Sequence, residues 1–166
     1  MRRVLLFNPF FLKHLFLTLL LCLATIGGAA AQTHSPLGVW KDDAGETHVE
    51  IYRCGNSKQL CGRLVWLSEP QDSTTNLPKT DRRNPEPEKR NQPLLNLVVI
   101  QNLSYDPDDE RWEDGRIYDP MNGRTYSCYL NMVSKDRMEV KGYIGFSLIG
   151  RSHYWSRVKP QVMGAK

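Results

Sequence analysis

The sequence predicts an all-β protein in which about eight antiparallel strands wind in chain order into an up-and-down barrel. Three observations carry that expectation. Apolar residues recur at every second position, as where Tyr126, Cys128, Leu130 and Met132 alternate with Thr125, Ser127, Tyr129 and Asn131; this is the period of a strand with one buried face. Short turns separate the runs, and Asn122-Gly123 is the clearest of them, suited to the two positive-φ positions of a type I′ hairpin turn. No capped amphipathic helix lies between the runs, so successive strands must be antiparallel neighbours. Closing them into a barrel removes both exposed edges, and a sandwich is the alternative.

Ahead of the first strand, Arg2, Arg3, Lys13 and His14 precede an apolar run from Leu15 to Ile26 and the small residues Gly27-Gly28-Ala29-Ala30-Ala31. Residues 1–31 read as a secretory signal peptide cut before Gln32. The apolar run is shorter than the roughly 20 residues that span a bilayer, so no stable membrane anchor is expected after cleavage. Bulky Leu21 before Cys22 argues against lipidation, and a periplasmic or secreted location follows. Cleavage removes three of the 22 Lys and Arg and none of the 18 Asp and Glu. The remaining chain is nearly neutral and has no electrostatic reason to seek nucleic acid.

Residues 32–166 then read as one barrel domain. Gln32 to Pro36 is a leader, and Leu37-Gly38-Val39-Trp40 opens the first strand, which ends near Asp42-Asp43-Ala44-Gly45. Glu46 to Arg53 and Gln59 to Ser68 are the second and third strands, turned by Gly55-Asn56-Ser57-Lys58. From Glu69 to Pro93 the chain is charged and carries Pro70, Pro78, Pro85, Pro87 and Pro93, a density that permits neither strand nor stable helix. So long a loop is either a solvated excursion or a lid, with Asp81, Asn84 and Arg90 as candidates to pin it to the barrel mouth. Leu94 to Leu103, with a short helical turn allowed at its start, Arg111 to Pro120, Gly123 to Val133, Arg137 to Gly145 and Gly150 to Val158 complete the strands.

The alternation assigns faces. Val49 and Ile51 inward put Cys54 outward, and Leu64 and Trp66 inward put Cys61 outward on the adjacent strand, where a Cys54–Cys61 cross-strand disulfide is sterically reasonable. Cys128 falls inward and reads as a buried thiol. The rest of the inward face is Trp40, Val49, Ile51, Leu64, Trp66, Tyr126, Leu130, Met132, Met138, Val140 and Ile144.

Gly38-x-Trp40, with Arg157 near the end of the last strand, resembles the lipocalin and wider calycin pattern, in which a tryptophan plugs the closed end of a barrel beneath an arginine. A planar guanidinium packs well on an indole face while its donors reach backbone carbonyls. The chain is more closely similar to the bacterial family called domain of unknown function 2147. The residues that carry this are Gly38-Val39-Trp40; Leu60 to Leu67; Asp81 with Asn84-Pro85; Pro93-Leu94-Leu95; Gly115 to Cys128; and Gly142 to Arg151 with Trp155 and Arg157. Asn96 stands where that pattern leads one to expect glycine. The resemblance implies a secreted or periplasmic lipocalin-like barrel of a Gram-negative bacterium and brings no established activity.

His34, His48 and His153 lack metal-ligand spacing, no Cys-x-x-Cys pair occurs, and Gly145 to Gly150 misses the nucleophile-elbow spacing by one residue. No metal, cofactor or catalytic residue is therefore expected, although Cys128 or a Tyr/Asp/His set is the place to look for one. The barrel interior is either filled by its own side chains or holds a small hydrophobic or amphipathic ligand. In the second case Leu64, Trp66, Tyr126, Leu130, Met132 and Val140 are the candidate ligand-binding residues. Gly38, Trp40, Arg157, Asn122 and Gly123 are structural candidates. The alternative function is a filled barrel that binds an envelope protein, or inhibits an enzyme, through exposed aromatics such as Tyr52 and Trp112 gathered in one patch.

Overall fold

A computed structural model describes residues 34–145 and 148–159. The expected signal peptide and the C-terminal tail from Pro160 lie outside the described residues. Eight strands, β1 (Gly38–Lys41), β2 (Thr47–Arg53), β3 (Leu60–Leu67), β4 (Val98–Asp106), β5 (Arg111–Asp119), β6 (Arg124–Ser134), β7 (Arg137–Tyr143) and β8 (Gly150–Arg157), form one closed barrel in chain order. Every neighbouring pair is antiparallel, including β1 with β8. Among the described residues the only helical element is a 3-10 turn, Pro87–Lys89, begun by a proline whose missing N–H costs nothing there.

The two ends of the barrel differ. At one end β1 begins and β8 finishes: the Arg157 guanidinium lies 4.1 Å from the centre of the Trp40 ring. It donates to the carbonyls of Leu37, Ser35 and Lys135 at 2.8, 2.7 and 2.9 Å, while Trp40 Nε1 donates to the Pro36 carbonyl at 2.7 Å. Gly38 sits at φ 119°, a backbone conformation that favours glycine, and a Cβ there would press on Arg157 Nη1 at 3.0 Å. This closed end also carries the Cys54–Cys61 disulfide, which joins the ends of β2 and β3 as the face assignment predicts.

Bulges overturn several of the sequence expectations. Val49 pairs with Leu64 but His48 pairs with Trp66, so Val65 is an extra residue and every side chain beyond it changes face. Leu67 is buried in place of Trp66, which is 43% exposed and stacks on His48 with ring centroids 4.4 Å apart. A similar shift in β5, at Asp114 with φ 58°, leaves Trp112 opposite Leu130. Trp112 therefore packs against the core instead of standing on the outside. Ile144 is 69% exposed because β7 ends at Tyr143, before the position that would have turned it inward. The hairpin turn also differs: Asn122 has no positive φ, and Gly123 alone is left-handed at φ 70°. The Asp119 carbonyl accepts from both Asn122 N and Gly123 N, at 3.3 and 2.8 Å, which is a four-residue loop and not the two-residue type I′ turn. The fourth strand starts at Val98, since Leu94 to Leu97 form a tight turn in which Asn96 adopts φ 70°. Asparagine is the residue that best replaces glycine in that conformation.

Candidate functional site

The loops after β1, β3, β5 and β7 share the open end. The β3–β4 loop is held there by a buried hub. Asp81, fully buried, accepts the Tyr118 hydroxyl at 2.7 Å on one carboxylate oxygen and Asn84 Nδ2 at 2.6 Å on the other. Arg90 Nε donates to the Asn84 carbonyl at 2.9 Å. The loop folds back on itself through bridges between Gln71 and Pro78 and between Thr80 and Pro93. Loss of water around Tyr118, and secondarily its bond to Asp81, pushes its phenol above the usual range. A methyl group on Gly123 would collide with the Arg83 carbonyl oxygen, so the β5–β6 hairpin tip and the long loop fit only because position 123 is bare. The loop is thus a pinned strap. A groove of about 570 Å³ lies within it, between Leu77, Pro78, Arg82, Arg90 and Pro93, and not in the barrel.

The inner wall can be followed through the strand register, because directly opposed residues share a face. Trp155, Met138 and Met132 make one rung, His153, Val140 and Leu130 the next, and Arg151, Gly142, Cys128 and Gly115 the third. Over β5, β6 and β7 as far as Val140 the wall is solid. Leu130, Met138 and Cys128 are fully buried, and a methyl group on Gly115 would collide with Leu103 and lie 3.1 Å from Cys128 Sγ. At Gly142 the packing is looser: a Cβ there would sit in ordinary van der Waals contact with Ile117 at 3.5 Å and Tyr126 at 3.8 Å. Arg151 and His153 at the mouth of the same wall are solvent-exposed. His153 Nδ1 sits 2.9 Å from Asp43 Oδ2, bridging β8 to the β1–β2 loop.

The candidate ligand residues therefore divide. Leu64, Leu130 and Val140 lie buried on the inner wall, with Met132 partly buried below them. Tyr126 is half-buried opposite Ile117, and its hydroxyl takes a bond from Asn122 at 3.0 Å. Trp66 is not part of this wall. Tyr52 lies on the outside beneath Arg63, away from Trp112 at the inner closed end, so these two aromatics form no common patch. Burial pushes the Cys128 thiol up to about 12, and a sealed, protonated sulfur is no nucleophile. Asp106, Asp109 and Glu113 bring carboxylates within 4.8 Å of one another, and Arg111 bridges Asp109 and Glu113 at 2.6 and 2.7 Å. Face assignment from alternation alone had no means of finding Arg151 and His153, since β8 carries polar residues on both faces.

A bacterial family described as "Uncharacterized protein conserved in bacteria (DUF2147)" matches residues 38–157. The chain belongs to that family. The match runs from the glycine under Arg157 to Arg157 itself, so the DUF2147 unit coincides with the closed barrel and its strap. Comparison with curated proteins yields no match. Among solved structures, protein HP1028 of Helicobacter pylori, described as belonging to the lipocalin family, is similar with a TM-score of 0.65 at 17% identity, covering 77% of this chain and 86% of that one. At that identity the likeness concerns the fold.

Proposed function

We propose that this DUF2147 member is an exported binding protein, without catalysis, that holds a small hydrophobic or amphipathic molecule in the open half of its barrel. The observation that carries this reading is the contrast within two rungs of one wall: Leu130 and Cys128 on β6 are sealed, whereas Gly142 on β7 is only partly buried and Arg151 and His153 on β8 are exposed to solvent. Partly buried Ile117 and half-buried Tyr126 supply apolar surface of the kind such a ligand requires. Export is supported by the Cys54–Cys61 disulfide, a bond that persists in oxidising compartments, and by the basic, apolar and small-residue order of residues 1–31.

Native mass spectrometry of protein purified from the envelope of the bacterium that makes it tests the reading. The expected result is an added mass that organic extraction removes. Ligand-free spectra, together with no binding of a panel of alkyl probes in solution, would overturn it, and recovery of the uncleaved chain in the cytoplasm would overturn the export.

A further inference from the structure

Arginines stand at both ends of β8 on the same face, six residues apart, and their surroundings are opposite. Arg157 is stacked on Trp40, and its donors are taken up by three carbonyls. Arg151 continues the inner-wall rung of Gly142 and Cys128, and among the described residues no carboxylate or carbonyl holds its guanidinium. Asp43, in the β1–β2 loop that reaches this part of β8, is engaged by His153, two residues along from Arg151. A cation built into the wall of a mostly apolar cup needs a counter-charge when water is displaced from around it. A guanidinium offers that counter-charge a planar fork of N–H donors that fits carboxylate or phosphate oxygens.

We infer that Arg151 recognises the head group of an anionic single-chain amphiphile, a carboxylate or a phosphate, whose tail lies along Gly142, Ile117 and Tyr126. This rests on the binding function proposed above and narrows it to a ligand charge. Bulk attraction does not account for it, because the chain beyond residue 31 is close to neutral.

The test is calorimetric titration of the disulfide-bonded protein lacking residues 1–31 with four probes of one chain length, dodecanoate, dodecyl phosphate, dodecanol and dodecylamine, below their micellar concentrations. The anionic probes should bind at least about tenfold more tightly than the alcohol, as a charged hydrogen-bonded contact provides, and the better of the two names the head group. Arg151→Gln should abolish that preference while leaving alcohol affinity and the melting temperature unchanged, and Arg151→Lys should restore part of it. Equal affinity for all four probes, or tightest binding of the amine, would overturn the head-group assignment but leave the apolar binding site standing. Binding of none of them would overturn both.

Discussion

Arg157 and Arg151 show how one strand face serves two purposes. At the closed end the guanidinium is satisfied by the fold itself, through Trp40 and the carbonyls of Ser35, Leu37 and Lys135. At the open end the same side chain, in the same orientation, meets solvent. The barrel thus has a stabilising end and an accessible end, and a change at each should be felt differently: globally at the plug and the disulfide, locally at the strap and the mouth.

The comparison breaks most visibly at Trp40. Removing a fully buried indole leaves a cavity under Arg157, so Trp40→Ala should lower unfolding free energy by about 3–5 kcal/mol in denaturant titrations, whereas Arg151→Gln at the mouth should stay within about 0.5 kcal/mol of the parent. A mouth variant as costly as the plug variant would refute the division. Removal of the disulfide with Cys54→Ser and Cys61→Ser should cost about 2.5 kcal/mol for so short a loop, again read as a shift of the whole transition.

Strap variants should behave otherwise. Tyr118→Phe leaves a buried carboxylate oxygen of Asp81 without its donor, a loss of about 1–3 kcal/mol. Gly123→Ala forces the hairpin tip away from Arg83. Hydrogen exchange should show both effects concentrated in residues 69–93, with the rungs through Leu130 still protected; uniform loss of protection would mean that the strap is integral to the barrel core.

The smallest effect concerns alkaline pH. The Cys128 thiol rises from an ordinary 9.0 to about 12 in the fold because burial disfavours the thiolate. Between those values the unfolded chain has released the proton and the folded chain has not, so stability should fall as pH rises through that window. The elevated Tyr118 phenol acts in the same direction. Cys128→Ala should flatten part of the slope. At pH 8 the native thiol should resist alkylation and become reactive only in denaturant; a thiol that reacts in the folded protein would contradict the sealed lower half.

Much of the architecture was legible because alternation and turn chemistry are local signals. The strands from Arg111 onward, the pairing of Cys54 with Cys61 and the burial of Cys128 all follow from period-two patterns that a pleated sheet imposes. The errors share one cause. Trp66 and Trp112 were misplaced because a single inserted residue, Val65 or Asp114, reverses the face of everything beyond it, and the sequence marks such an insertion only weakly. The loop of residues 69–93 was recognisable as proline-rich and charged, but its role as a pinned strap depends on Tyr118 and Gly123, distant in the chain.

What the sequence determined by itself was an antiparallel barrel of about eight strands, since alternation and turns are relations between neighbours in the chain, while the DUF2147 family and the tryptophan plug were what its resemblance of motifs from Gly38 to Arg157 implied. Tertiary structure alone decided which wall is sealed and which is open. That depends on where bulges fall, on the fit of Arg83 against Gly123, and on the place of Arg151 in a rung with Gly142 and Cys128, all of them relations between residues that only folding brings together.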